Sequence, residues 1–168
     1  PKNEFLVNQD FRLVPDEIVG LDDLTMEQKL EMDRHQVSWN LSQFLHGEQG
    51  ALLVASQLVS CAPTFNAKMY AASQTFDEAR HVEGFNRYLK EKIGFQYPAT
   101  KGLKSLMDKI LTDERCDLKF IVMQIIIEGL ALAAFNNMKF ILNDGLLKQL
   151  LHYVCLLYTS PSPRDMWT

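Results

Sequence analysis

The sequence is short of what a β fold, a nucleic-acid binder or a disulfide-stapled secreted module requires. No stretch alternates apolar and polar residues for long enough to read as a strand, and no segment repeats. Lysine and arginine number 17 against 21 acidic residues, a formal net charge of −4. That leaves no basic footprint for nucleic acid or an anionic membrane surface. The 3 cysteines are odd in number and none form Cys-x-x-Cys. Cys61 and Cys116 read as buried thiols of a reducing cytoplasm rather than as a disulfide. The longest apolar run, Phe120 to Phe135, contains Gln124 and Glu128 and is too short and too polar to read as a membrane span. Neither a signal peptide nor a methionine opens the chain, and the start at Pro1-Lys2-Asn3-Glu4 reads as that of a fragment.

What is present is helix. The 168 residues, 47% hydrophobic and 23% charged, suit one soluble globular domain. Residues 1–24 mix short apolar pieces with Pro15 and Gly20 and read as an irregular arm lying over a bundle. Thr25 with Gln28 resembles a capping box, opening a helix that runs to Ser60 before Pro63. Its first part, Met26 to Arg34, is charged and reads as solvated. Asn66 is the expected N-cap of a second long helix ending near Gly94 and Tyr97-Pro98. Thr100 to Leu111 forms a short amphipathic helix with Leu103, Leu106, Met107 and Ile110 inward. A further helix runs from about Asp113 to Leu142, and Asn143-Asp144-Gly145 breaks it. Leu146 to Val154 begins another. The expected fold class is all-α.

The chain is organised around Asp77-Glu78-Ala79-Arg80-His81-Val82-Glu83. Glu78 and His81 are three apart and project from nearly one helix face. That face continues through Tyr70, Ala71, Gln74, Val82, Phe85 and Leu89. An acid and an imidazole on a buried stripe need a partner, and a metal ion is one. Glu-x-x-His alone is a weak signal, but two other helices repeat the anomaly. Glu48 aligns with Leu41, Phe44, Leu45, Leu52, Ala55 and Val59. Glu128 interrupts an otherwise apolar segment that reads as a core helix, where a lone glutamate would cost several kcal/mol or stay protonated. Gln124, one turn before Glu128, is a candidate to support it. Arg80 reads as a structural ion-pair partner, His35, His46 and His152 as ordinary histidines, and Glu83 and Glu91 as solvated.

The tail changes character at Cys155-Leu156-Leu157-Tyr158-Thr159-Ser160-Pro161-Ser162-Pro163-Arg164-Asp165. This string resembles the translation of a sequencing adaptor, so residues 155–168 are expected to be non-native and to lie outside the fold. The partial bundle is then 25–154.

Over residues 36 to 154 the chain resembles the ferritin-like di-iron carboxylate superfamily. Its wording is closest to the branch of oxygenases and ribonucleotide reductase small subunits, including p-aminobenzoate N-oxygenase-like proteins. The site of that superfamily draws one glutamate from each of two helices and Glu-x-x-His from each of two others. The resemblance implies a ferritin-like four-helix bundle with an extra helix. It makes Glu48, Glu78, His81 and Glu128 the metal ligands, with Asp77 as a support; Gln124, by its position alone, is either a further support or an ordinary polar contact between helices. Asp77 matches an aspartate that hydrogen-bonds a ligand histidine on another helix. The second Glu-x-x-His is absent where the adaptor-like tail begins, so the fold is expected to be incomplete there and this chain inactive by itself. Phe85 stands where many reductase subunits place a radical tyrosine.

Three activities follow from the resemblance. One is an oxidoreductase in which two iron ions, or an iron/manganese pair, activate O2 to oxidise a small molecule. Another is a radical-generating subunit. The last is iron storage or peroxide scavenging. A cytoplasmic protein is implied, with a small-molecule substrate, an electron donor and a homodimer among its partners, and with neither nucleic acid nor membrane. No residue beyond the metal ligands is marked as catalytic.

Overall fold

A computed structural model describes residues 4–11 and 23–159. Helix α1 spans Met26–Cys61 and begins at the expected capping box, with the Thr25 hydroxyl taking the Gln28 amide and the Gln28 side chain taking that of Thr25. Helix α2 spans Phe65–Tyr88 and continues as a π-helical turn, Leu89–Ile93, that ends at Gly94 with φ 94°. That backbone conformation favours glycine. The cap of α2 is Thr64 rather than Asn66: its hydroxyl accepts the Ala67 amide at 3.2 Å, which starts the helix at Phe65. Helix α3 is Lys101–Thr112, with the Thr100 side chain as its N-cap. Helix α4 runs Cys116–Ile141, with a π-helical stretch, Ile121–Ile127, directly before Glu128. Helix α5 is Gly145–Thr159. The described residues form five helices and no strand, in agreement with an all-α fold.

α1 and α2 form an antiparallel hairpin. Phe44 lies near Phe85, Glu48 reaches His81, and the Lys68 ammonium closes on the Val59 and Ser60 carbonyls. α4 meets α2 differently: Tyr70 pairs with Gln124 and Gln74 with Glu128, in the same order on both helices. The two helices therefore run in the same direction where they meet, and α3 lies on the crossover that makes this possible.

The segment before α1 is tied down where it is described. The Leu6 and Val7 amides donate to the Asp33 carboxylate at 2.6 and 3.3 Å, and Val7 makes an isolated antiparallel bridge with Leu142. Asp33, expected to be solvated, is buried because these amides satisfy it. Residues 12–22 of the expected arm lie outside the described residues.

Apolar side chains collect in two clusters. One contains Leu41, Leu45, Phe85, Phe135, Leu147 and Leu151; the other contains Ala51, Val54, Leu58, Ala71, Met107 and Met123. Phe85 and Phe135 are fully buried, each stabilising by roughly 1.5–3 kcal/mol. Phe44 packs edge-on against Phe135 with centroids 4.7 Å apart. Gly50 lets α3 close on α1, since a Cβ there would run into Met107. On α1, α2 and α4 alike, the expected acidic ligand lies between a residue of one cluster and a residue of the other. The acids occupy the seam between two apolar cores.

Three expectations need correction. Cys61 and Cys116 form a disulfide, with Cα atoms 5.9 Å apart, tying the end of α1 to the start of α4. Cys61 is exposed and Cys116 half-buried, so neither is a core thiol. Helix α4, expected to be buried and too short to span a membrane, has 26 residues; its most apolar 18-residue stretch has a mean hydropathy of 2.0, and only 22% of that stretch is buried. The helix extends past the apolar run at both ends, and by length and composition alone it could cross a membrane. Finally, α5 does not stop at Val154. It continues to Thr159 and buries Cys155, because no helix breaker precedes Pro161 and Cys155 continues the buried stripe of Leu147, Leu151 and Val154. Residues 160–168 of the expected non-native tail lie outside the described residues.

Candidate metal centre

Glu48 enters the seam from α1, and Glu78 and His81 enter it from α2. All three are buried, and each offers a ligating atom within 4.8 Å of the others. His81 Nδ1 lies 3.1 Å from Glu48 Oε2 and 3.2 Å from Glu78 Oε2. The hairpin geometry makes this possible: residues 48 and 81 face one another across antiparallel helices, and 78 lies under 81 on the same face.

The charges are interdependent. Burial pushes the Glu48 carboxyl up to about 8, against the pull of the His81 hydrogen bond. Burial also opposes the charge on Glu78, but hydrogen bonds from His81 and Glu48 outweigh it and hold this carboxyl below its usual value. Burial works against protonated His81 as well, yet its two carboxylate neighbours raise it to about 9. Near neutral pH the group therefore holds Glu78 ionised, His81 protonated and Glu48 neutral. A cation can replace both protons.

Glu128 arrives from α4, also buried. It joins through Gln74, whose Nε2 donates to Glu128 Oε1 at 3.1 Å and to Glu78 Oε1 at 3.4 Å. Gln124 donates to Gln74 Oε1 at 2.7 Å and receives the Tyr70 hydroxyl at 3.4 Å. The π-helical turn before Glu128 shifts the face that α4 presents there, a distortion common at functional sites. Gln124 thus reaches the acids by way of Gln74, which the sequence reading placed on the face without a role. The signal was there: an amide precedes both Glu78 and Glu128 by four residues.

Asp77 is not at the cluster. Its carboxylate faces Arg80 at 3.6 Å, and that guanidinium also lies over the Phe76 ring. His46 bonds the Tyr97 carbonyl and Gln49, and His35 bonds the Tyr97 hydroxyl at 2.6 Å, both clasping the loop after α2.

Two apolar cavities approach the seam. One of about 430 Å³ has Glu48 and Glu128 in a wall otherwise formed by residues such as Trp39, Phe44, Met107 and Phe135. The other, about 640 Å³, is lined by Leu58, Tyr70, Gln74, Phe120 and both disulfide cysteines.

The donor set fits a transition-metal ion. Carboxylate oxygens and an imidazole nitrogen converge inside an apolar shell. Comparison with protein-family models, curated proteins and solved structures gives no match to this chain.

Proposed function

We propose that the chain carries the greater part of a dinuclear carboxylate centre, for iron or an iron/manganese pair, in an oxidoreductase that uses dioxygen to oxidise a small molecule. The convergence of Glu48, Glu78 and His81 within 4.8 Å in a buried seam carries this reading. Glu128, joined through Gln74, supplies the further acid. Oxygen and imidazole donors suit iron and manganese. Supporting it are the resemblance to the ferritin-like di-iron superfamily and the parallel α2 and α4, the arrangement a bundle with one long crossover requires.

Bound iron or manganese would supply the redox equivalents that reduction of dioxygen demands. The chain's own residues bind, orient and exclude. Glu48, Glu78, His81 and Glu128 would hold the metal, and Glu48 and His81 would release their protons to solvent as it binds. The apolar walls keep water out, and the cavity of about 430 Å³ is large enough to bring a small apolar molecule to Glu48 and Glu128. Phe85, fully buried one turn after His81, offers no phenol, which favours substrate oxidation over radical generation.

Anaerobic titration of the chain with Fe(II) or Mn(II), followed by desalting and elemental analysis, tests the site. The expected result is retained metal at fewer than two ions per chain, abolished in Glu78→Ala and His81→Ala. Metal that stays bound in both variants would sink the assignment. Extending α5 with a Glu-x-x-His turn and recording O2 uptake on Fe(II) addition tests the redox half; the reading fails if neither metal content nor uptake rises.

A further inference from the structure

Gln74 is a neutral group lodged between two buried acids, and its surroundings dictate how its amide is turned. Nε2 meets Glu128 Oε1 at 3.1 Å and Glu78 Oε1 at 3.4 Å, while Oε1 receives Gln124 Nε2 at 2.7 Å. The opposite orientation would press a carbonyl oxygen against two carboxylate oxygens and Gln124 Nε2 against a second amide donor. The amide has two N–H groups, and each acid takes one. Glu78 is thereby gripped at both ends, Oε1 by Gln74 and Oε2 by His81 at 3.2 Å. Gln74 is itself buried and is steadied through Gln124 by the Tyr70 hydroxyl at 3.4 Å. An acid at this position would add a negative charge to the cluster, and a lysine would neutralise it without a metal.

We propose that Gln74 is the positioning residue of the centre, fixing the Glu78 carboxylate of α2 and the Glu128 carboxylate of α4 relative to one another by a single forked amide, with Gln124 and Tyr70 as its brace. The proposal rests on the metal-centre reading above. It makes the sequence pattern of an amide one turn before each acid a functional pattern: Gln74 supports Glu78 and Glu128 directly, and Gln124 supports Gln74. Partners of this kind typically contribute about 10–100-fold in metal affinity.

The test uses Co(II), whose visible absorption reports ligand geometry, on the whole chain. Gln74→Leu keeps the volume and removes the fork. It should weaken Co(II) binding about 10–100-fold and alter the visible spectrum, with helix content by circular dichroism unchanged. The spectral change separates the two roles: a merely structural loss would lower affinity or helix content without moving the visible bands, because the ligand atoms would keep their geometry. Should Gln74→Leu fail to fold, Gln124→Leu removes only the brace and should weaken binding several-fold with a smaller spectral change. Unchanged affinity and spectrum in the foldable variant would overturn the proposal. Absence of Co(II) binding by the unaltered chain would instead overturn the metal-centre reading, so the two failures are distinguishable.

Discussion

Glu48 on α1 and His81 on α2 meet at 3.1 Å across the hairpin, through Oε2 and Nδ1. Burial holds Glu48 neutral while the ionised Glu78 balances protonated His81. The two glutamates therefore respond differently to the same substitution. Glu48→Gln reproduces a neutral acid that accepts from His81 and donates to Glu78, so the metal-free protein should change stability by about 1 kcal/mol or less. Glu78→Gln strips protonated His81 of its counter-charge and should cost about 3–5 kcal/mol. Both should lose metal. Urea denaturation of the metal-free variants checks the contrast, and equal losses would contradict this distribution of protons.

The same distribution sets a pH dependence. Glu48 has a folded-state value of about 8 against an ordinary 4.5, and His81 about 9 against 6.5. A group whose value is raised by folding holds its proton more tightly in the fold. Its stabilisation is complete below the unfolded value and is lost as pH climbs through the folded one. Both groups act in this sense between the ordinary His81 value of 6.5 and the raised Glu48 value of about 8, and His81 continues to about 9. The melting temperature of metal-free protein should therefore fall over that range, by about 2–4 °C for each kcal/mol lost. Glu78, held low, has the opposite sign and acts only in acid. Metal affinity should rise over the same interval, because the ion displaces these protons. Thermal melts of the wild type and Glu48→Gln, the latter with a shallower slope, are the measurement.

Much of this was legible in the residues. Long helices were readable from apolar spacing, and the Thr25 cap and the Gly94 stop from local chemistry. Glu48, Glu78, His81 and Glu128 stood out because each is an ionisable group on an apolar stripe. What was not legible depends on contacts distant in sequence. Asp33 looks solvated until Leu6 and Val7 arrive to bond it. Cys61 and Cys116 are 55 residues apart, and only the packing of α4 beside the end of α1 brings them together. Gln74 has the spacing of a supporting residue, but its meaning required knowing that α4 lies parallel to α2. An apolar run shows that Phe120 to Phe135 avoids water; it does not show which side is covered.

The disulfide gives a third prediction. It closes a segment of 55 residues, for which chain-entropy reasoning gives about 4 kcal/mol of stabilisation. Replacing Cys61 and Cys116 together by serine should lower stability by an amount of that order. Because the bridge fastens the start of the helix that carries Glu128, metal affinity should fall too. Thiol titration under denaturing conditions should find Cys155 alone before reduction, and all 3 cysteines after it. Three thiols without reductant would show that the bridge does not form in solution.

The last prediction concerns the outer side of α4. Ile125, Leu130 and Phe140 are 62%, 67% and 68% exposed, and Phe120, Ile121 and Ile126 lie open beside them. An apolar surface of this kind on a soluble chain is a site of association. Two such faces can cover one another, and the intervening polar groups, Asn136 and Asn137, do not interrupt the Phe120–Leu130 half. We expect the chain to self-associate at micromolar concentration in sedimentation velocity, and Ile125→Lys with Leu130→Glu to return it to monomer. The helix must then keep its helicity, since both substitutions fall on exposed positions. The competing outcome is set by the same composition: a helix of 26 residues containing an 18-residue stretch of mean hydropathy 2.0 could enter a bilayer. Glu128 decides between them. Its carboxylate is turned to Gln74 inside the protein at 3.1 Å, and insertion of α4 as a free span would break that bond and carry an acid to mid-helix depth in lipid. Flotation with neutral phosphatidylcholine vesicles should therefore leave the chain at the bottom of the gradient. Co-flotation of the wild type, lost in the Lys/Glu variant, would show that the face meets lipid rather than a second copy.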